Sequence, residues 1–262
     1  MTEWRFIDSG PCSASYNMAV DEAIATAVRR GDAPATLRVY GWDRPSVSLG
    51  SFQKITDVNI DFCASNDIPI VRRPTGGRAI FHGDELTYSF SSANDGIFSK
   101  GLLDSYRRLS EALKSAFDAI GLSLAMKMER ESARNLTRSP LCFESASYGE
   151  LSFEGSKVVG SAQKRWKDGL LQQGSIPFTT NEELTKKIFA VTLPPNSRSV
   201  MTGLRNMVGD LYPEKLKDAF RAAFGETFKT RIMPKVLSPE EARLARELEL
   251  RRYLSREWLF QR

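Results

Sequence analysis

Cysteine is scarce in this 262-residue chain, and its three copies, Cys12, Cys63 and Cys142, are odd in number and far apart. That excludes a disulfide framework, and without a CxxC pair no zinc-site spacing exists, so no metal is expected. A reducing compartment fits best, where a cysteine can serve as a free thiol. Histidine is scarcer still, with His82 alone. No apolar run approaches the roughly 20 residues needed to span a bilayer. The opening Met1-Thr2-Glu3-Trp4-Arg5 lacks the basic start and apolar stretch of a signal peptide. The expectation is a cytoplasmic protein that does not engage a membrane. Internal repeats, low-complexity linkers, Lys/Arg blocks and aromatic–glycine RNA-binding motifs are also missing. The net charge of +5 and pI near 9.1 therefore favour acidic protein partners, with no nucleic acid among them.

What is present suits a globular protein. The hydrophobic fraction of 41% supports an ample core, and the length favours one α/β domain over residues 1–262. Val20, Ile24, Ala27 and Val28 recur at helical spacing and predict a helix from about Ser15 to Arg30, stopped by Gly31. Cys12 is read into an N-terminal turn. Strand-like runs follow at Thr36–Trp42 and Ser46–Gly50, then a short helix at Asp57–Ser65. Ile68–Arg73, Arg78–Phe81 and Glu85–Ser92 read as strands around glycine-rich turns.

Leu103, Tyr106, Leu109, Leu113, Phe117 and Ile120 line one face of a further helix that Gly121 ends. Leu122–Met128 reads as a strand and Glu129–Leu141 as a polar loop. Ser147–Phe153 and Lys157–Lys164 flank a hairpin turn at Glu154-Gly155-Ser156, and Leu170–Phe178 supplies another strand. From Glu182 helical patterns dominate, and the part from about 205 reads as a helical layer on the same domain. Tyr212–Phe224 forms a helix that Gly225 would end. Ser238-Pro239-Glu240-Glu241 is a capping box that opens a charged helix through about Leu254, an ordinary solvated face or a docking face.

Three groups of residues can carry chemistry. Gly76-Gly77 lets a ligand approach the backbone, and Arg72, Arg73 and Arg78 crowd that turn with positive charge, which suits a phosphate or the polar tail of an acyl carrier. Taken alone, it reads first as an ordinary tight turn with surface arginines. His82 follows it, as a structural or pocket-lining group or as a base. Cys142 ends the polar loop and leads into the hairpin that carries Lys157. An ammonium beside the thiol would lower its pKa and raise the thiolate fraction, and Gly160-Ser161-Ala162-Gln163 offers backbone donors for an oxyanion. Cys63 reads as a buried, inert thiol on an apolar helix face.

In order along the chain, YNMAVDEAI (Tyr16–Ile24), PSVSLGSFQ (Pro45–Gln53), RRPTGGRAIFH (Arg72–His82), ELTYSF (Glu85–Phe90), CFESASYGELSFEGSKVVGSAQKR (Cys142–Arg165) and LLQQGSI (Leu170–Ile176) resemble the lipoate–protein ligase and octanoyltransferase superfamily. The resemblance covers roughly residues 1–205. It implies a mixed β-sheet flanked by helices, related to the catalytic domain of biotin–protein ligases. The glycine turn and the lysine-bearing strand would line an acyl tunnel, with Arg72, Arg73, Gly76, Gly77, Arg78, His82, Tyr88 and Gly160, Ser161, Ala162 and Gln163 as substrate-binding positions.

Cys142 and Lys157 match the cysteine and lysine of the Gram-positive type of octanoyltransferase. That match implies an octanoyl–acyl carrier protein donor, a thioester on Cys142, and transfer to a lysine of a lipoyl-domain protein. Such acceptors include the glycine cleavage H protein and dehydrogenase E2 subunits. Neither metal nor ATP cofactor is needed, and a monomer is expected. The same resemblance leaves room for an ATP-dependent lipoate–protein ligase and for an amidotransferase between H protein and dehydrogenase lipoyl domains. A non-catalytic acyl or carrier-protein binder is the remaining alternative.

Overall fold

A computed structural model describes residues 2–127, 149–189, 202–209 and 211–262. Cys142, the loop read at Glu129–Leu141 and the start of the Ser147–Phe153 strand lie outside the described residues. In chain order the elements are β1 (Glu3–Cys12), α1 (Ala14–Arg30), β2 (Thr36–Trp42), β3 (Ser46–Leu49), α2 (Ile60–Ser65), β4 (Ile70–Arg72), β5 (Ile80–His82), β6 (Glu85–Ala93) and α3 (Leu102–Ala119). Then come β7 (Ala125–Met126), β8 (Leu151–Phe153), β9 (Ser156–Lys157), β10 (Gly160–Arg165), β11 (Gly169–Pro177), α4 (Glu182–Phe189), α5 (Arg205–Val208), α6 (Pro213–Phe228), β12 (Arg231–Pro234), α7 (Pro239–Leu248) and α8 (Arg256–Leu259).

Among the described residues the main sheet has six strands, in the order β10-β11-β6-β2-β1-β12. It is mixed: β1 runs parallel to both β2 and β12, while β2, β6, β11 and β10 pair antiparallel. Strand β6 shows why the sheet has two unlike faces. Its side chains alternate, as a pleated strand requires. Leu86, Tyr88 and Phe90 enter one hydrophobic cluster with α3 and α6, through Phe117, Phe220 and Phe224. Glu85, Thr87 and Ser89 are buried on the other face, where the Ser89 hydroxyl reaches α1. Strand β2 repeats the division, with Leu37 and Val39 on the first face and Arg38 and Tyr40 on the second. A second sheet, β4-β3-β5, carries the glycine-rich segment between β4 and β5.

Caps and ion pairs set the helix positions. Ser13 caps α1 by accepting from the Tyr16 amide. The capping box of α7 forms as its sequence indicates, and its Glu241 also takes two charge-assisted hydrogen bonds from Arg5 of β1, at 2.9 and 2.6 Å. That buried fork ties the C-terminal helix to the first strand.

Several elements differ from the sequence reading. Cys12 ends a ten-residue strand and does not sit in a turn, because β1 is bridged by β2 and β12 despite a bulge between Asp8 and Pro11. Helix α6 runs through Gly225 to Phe228, since Phe228 packs on Trp4 with ring centroids 5.0 Å apart. Its stop is Lys229, in the left-handed conformation at φ 51°. Helix α7 ends at Leu248 and continues as a π-helical turn, Glu249–Tyr253. The single strand read at Lys157–Lys164 is two strands, because neighbouring Val158 and Val159 both enter the core and break the alternation. The hairpin turn itself forms, with Glu154 and Gly155 both at positive φ.

Candidate active site

The polar face of the main sheet, α1 and the glycine turn line a small, partly open cavity. Met18, Tyr40, Trp42, Ser48, Arg73 and His82 line one part of it, and Gly160, Ser161 and Ala162 another. The two segments singled out in the sequence therefore meet here. Ala162 is the contact point, since a Cβ on Gly77 would lie 3.3 Å from its methyl group.

The arginines at the turn have a different task from the one their charge suggests. Arg73 is buried and its N–H groups serve carbonyls: Nε and Nη2 donate to Gly76 O, Nη2 to Arg78 O, and Nη1 to Ser48 O and Ser48 Oγ, at 2.7–3.1 Å. The guanidinium thus cinches the glycine turn from inside. Arg72 is fully buried and points away from the cavity. It donates to Gly50 O, Gln53 O, Trp258 O and Leu259 O, and its own carbonyl accepts from the Trp258 indole at 2.9 Å. Neither a cluster of arginines for a phosphate or carrier tail nor a turn with surface arginines describes Arg72 and Arg73: both are buried and hold backbone together, because buried carbonyls must find donors. Arg78 is half-buried and stands outside the cavity lining.

Two further positions lie elsewhere than expected. Tyr88 belongs to the opposite face of the sheet, where its hydroxyl meets Ser161 Oγ and accepts from Gln172 Nε2, both at 2.8 Å. Burial pushes its phenol up to about 12. Gly174 makes that approach possible, as a Cβ there would stand 2.2 Å from the tyrosine ring. Gln163 also turns to that face and bonds with Ser105 of α3. Both support the strands that form the cavity wall, and neither lines it.

Lys157 is buried on β9 and forms an ion pair with Glu150, itself buried. Three residues later the chain reaches Gly160 in the cavity wall. Nothing in the reading of the sequence pointed to Glu150. Three other groups were missed with it. Asp21 of α1 is fully buried and takes hydrogen bonds from Arg38 (2.7 Å), Tyr40 (2.9 Å), Ser89 (2.6 Å) and Gln173 (2.7 Å). Gln173 in turn accepts from Thr75 of the glycine turn at 2.8 Å, so α1, the sheet and the turn form one network. Glu85 holds His82, with its Oε1 3.0 Å from the ring Nδ1. The available signal was the strict alternation of Glu85–Phe90, which places the polar side chains on one face.

Residues 13–225 match the family model of the lipoyl protein ligase A/B catalytic domain. The chain belongs to that family. Among its relatives, octanoyltransferase LipM of Geobacillus kaustophilus (strain HTA426) is 36% identical, over 99% of this chain and 98% of that protein. Octanoyltransferase LipM of Bacillus subtilis (strain 168) is also 36% identical over the same shares. The fold is that of lipoate–protein ligases. A lipoate-protein ligase A crystallised with ATP superimposes with a TM-score of 0.84 at 24% identity, over 99% of both chains. The bipartite lipoate protein ligase of Thermoplasma acidophilum gives 0.80 at 22%, over 99% of this chain and 97% of that one.

Proposed function

We propose that this enzyme moves an octanoyl chain from octanoyl–acyl carrier protein to a lysine of a lipoyl-domain protein, through a thioester on Cys142. The observation that carries this reading is the end-to-end likeness to proteins named octanoyltransferase. The cavity supports it. Its glycine-lined wall lets an acyl chain approach the backbone closely, while Met18, Tyr40, Trp42 and Ile80 supply apolar surface.

The chemistry needs no outside energy. Exchange of a thioester onto a thiolate is nearly balanced, and transfer from thioester to amine runs downhill, so ATP has no role. The enzyme positions the groups and stabilises the oxyanion, for which Gly160, Ser161 and Ala162 offer backbone donors. Lys157 would favour the thiolate of Cys142. The acceptors of this proposal are the glycine cleavage H protein and dehydrogenase E2 subunits, and the enzyme works as a cytoplasmic monomer. Among the described residues no helix is long and apolar enough to cross a membrane.

Intact mass spectra after incubation with octanoyl–acyl carrier protein, without ATP, test the reading. A hydroxylamine-sensitive octanoyl adduct is expected, and Cys142→Ala abolishes it. Turnover only on free acid plus ATP, with no adduct, would overturn the proposal in favour of a ligase. An adduct that never passes to a lipoyl domain would point to an acyl binder.

A further inference from the structure

His82 lies flat on Trp42, with ring centroids 3.8 Å apart and 15° between the planes. Both its nitrogens are engaged: Nδ1 is 3.0 Å from Glu85 Oε1, and Nε2 is 2.7 Å from Ser48 Oγ. Glu85 also accepts from Ser175 Oγ at 3.0 Å, from Trp42 Nε1 at 3.2 Å, and from Thr87 Oγ. Burial pushes this carboxyl up, but its interaction with His82 and the hydrogen bonds from His82, Thr87 and Ser175 outweigh it and leave it below its ordinary value.

Trp42, Thr87 and Ser175 all donate to Glu85, which leaves it an acceptor toward the ring as well, so the neutral imidazole carries its proton on His82 Nδ1. Nε2 is then the basic nitrogen, and the Ser48 hydroxyl donates to it. Arg73 Nη1 donates to the same Ser48 oxygen at 3.1 Å. The direction of each bond follows: Arg73 to Ser48, Ser48 to His82, His82 to Glu85. Ser48, His82 and Arg73 all line the cavity. Among the described residues, the charged groups around the ring are Glu85 of β6 and Arg73 of the turn after β4. Asp21 of α1 lies behind Tyr40 of β2, paired with Arg38.

We infer that Ser48, His82 and Glu85 form a proton relay that serves the acceptor amine in the cavity; this rests on the acyl transfer to lysine proposed above. A neutral lysine amine attacks the thioester carbonyl and an N–C bond forms. The C–S bond breaks and its electron pair leaves on sulfur. The nitrogen, cationic once bonded, sheds one proton to Ser48 Oγ while Ser48 passes its own to His82 Nε2. The imidazolium then faces the Glu85 carboxylate, which stabilises it as the acid of a serine-protease triad stabilises its histidine. The proton returns to the thiolate, so thioester plus amine gives amide plus thiol.

The single histidine makes the test clean, because NMR of protein labelled with ¹⁵N-histidine reads His82 alone. The Nδ1–H tautomer is expected at neutral pH. Transfer from preloaded octanoyl-enzyme to a lipoyl domain should rise with pH in the wild type and lose part of that rise in His82→Gln. His82→Gln and Glu85→Gln should slow that transfer by roughly 100-fold, shift its pH profile, and slow loading from octanoyl–acyl carrier protein far less. An Nε2–H tautomer overturns the relay, as does an equal loss in both half-reactions or a pH profile unchanged in His82→Gln. An octanoyl group mapped to Ser48 also overturns it, by making that residue a nucleophile. If a variant does not fold, the tautomer of the wild-type histidine still decides. Failure of the transfer reading shows separately, as no loading of the wild-type enzyme.

Discussion

Gly50 and Gly77 meet backbone to backbone: a Cβ on Gly50 would stand 1.9 Å from the carbonyl oxygen of Gly77. Gly77 is itself at φ +82°, a conformation that side chains disfavour. The backbone just after β3 and the glycine turn are thus packed without room for a methyl group. Gly50→Ala must displace the turn, and a carbonyl held by the main chain cannot swing aside. Overpacking of this kind costs about 1–3 kcal/mol. Urea unfolding should show a loss in that range, and octanoyl transfer should fall as the cavity wall moves. Unchanged stability and activity would remove the turn from its assigned place.

The ion pair of Asp21 with Arg38 has no exposed surface on either side chain. Removing one partner strands a buried charge, which costs about 3–5 kcal/mol, whereas replacing both with apolar groups costs far less. Asp21→Ala should therefore unfold at much lower urea than wild type. Asp21→Ala combined with Arg38→Met should recover part of the loss. Additive losses in the double variant would show that the two residues act independently.

The two described thiols are poor nucleophiles at neutral pH. Burial pushes Cys63 up to about 11. Burial also raises Cys12, against the opposing charge of Arg38. Both are therefore protonated well above pH 7, and their thiolate fraction grows only as the pH climbs. Iodoacetamide at pH 7 should label Cys142 first and Cys63 last, read by peptide mass mapping. Lys157→Ala should shift the alkylation profile of Cys142 to higher pH and leave Cys63 unmoved. Fast labelling of Cys63 at neutral pH, or an unmoved Cys142 profile, would contradict these assignments.

Much of the fold was legible in the sequence because periodicity records which face of an element is buried. Strand Thr36–Trp42 and helix α1 fall almost where the pattern places them, and α7 begins at its capping box. The elements that were misread depend on remote neighbours. Strand β1 contains Gly10 and Pro11, local turn signals that pairing with β2 overrides. Helix α6 passes through Gly225 because Phe228 has an aromatic cluster to join.

For the site, the sequence by itself determined the family, through an ordered set of motifs, and from that likeness came the expectation that the glycine turn and the strand after Lys157 line one pocket. Only the tertiary structure decided what the charged residues near them do. Arg72 spends its guanidinium on Trp258 and Leu259 carbonyls some 186 residues away, and Lys157 and His82 each find a buried carboxylate. The reason is desolvation. A charge in a sequence carries no mark of its partner, but once the chain closes over it, each buried donor must be met by whichever acceptor the fold brings near. The turn that marks the family thus proves to be a backbone loop cinched by its own arginine. The proton path beside it depends on Ser48, His82 and Glu85, which three different strands bring together.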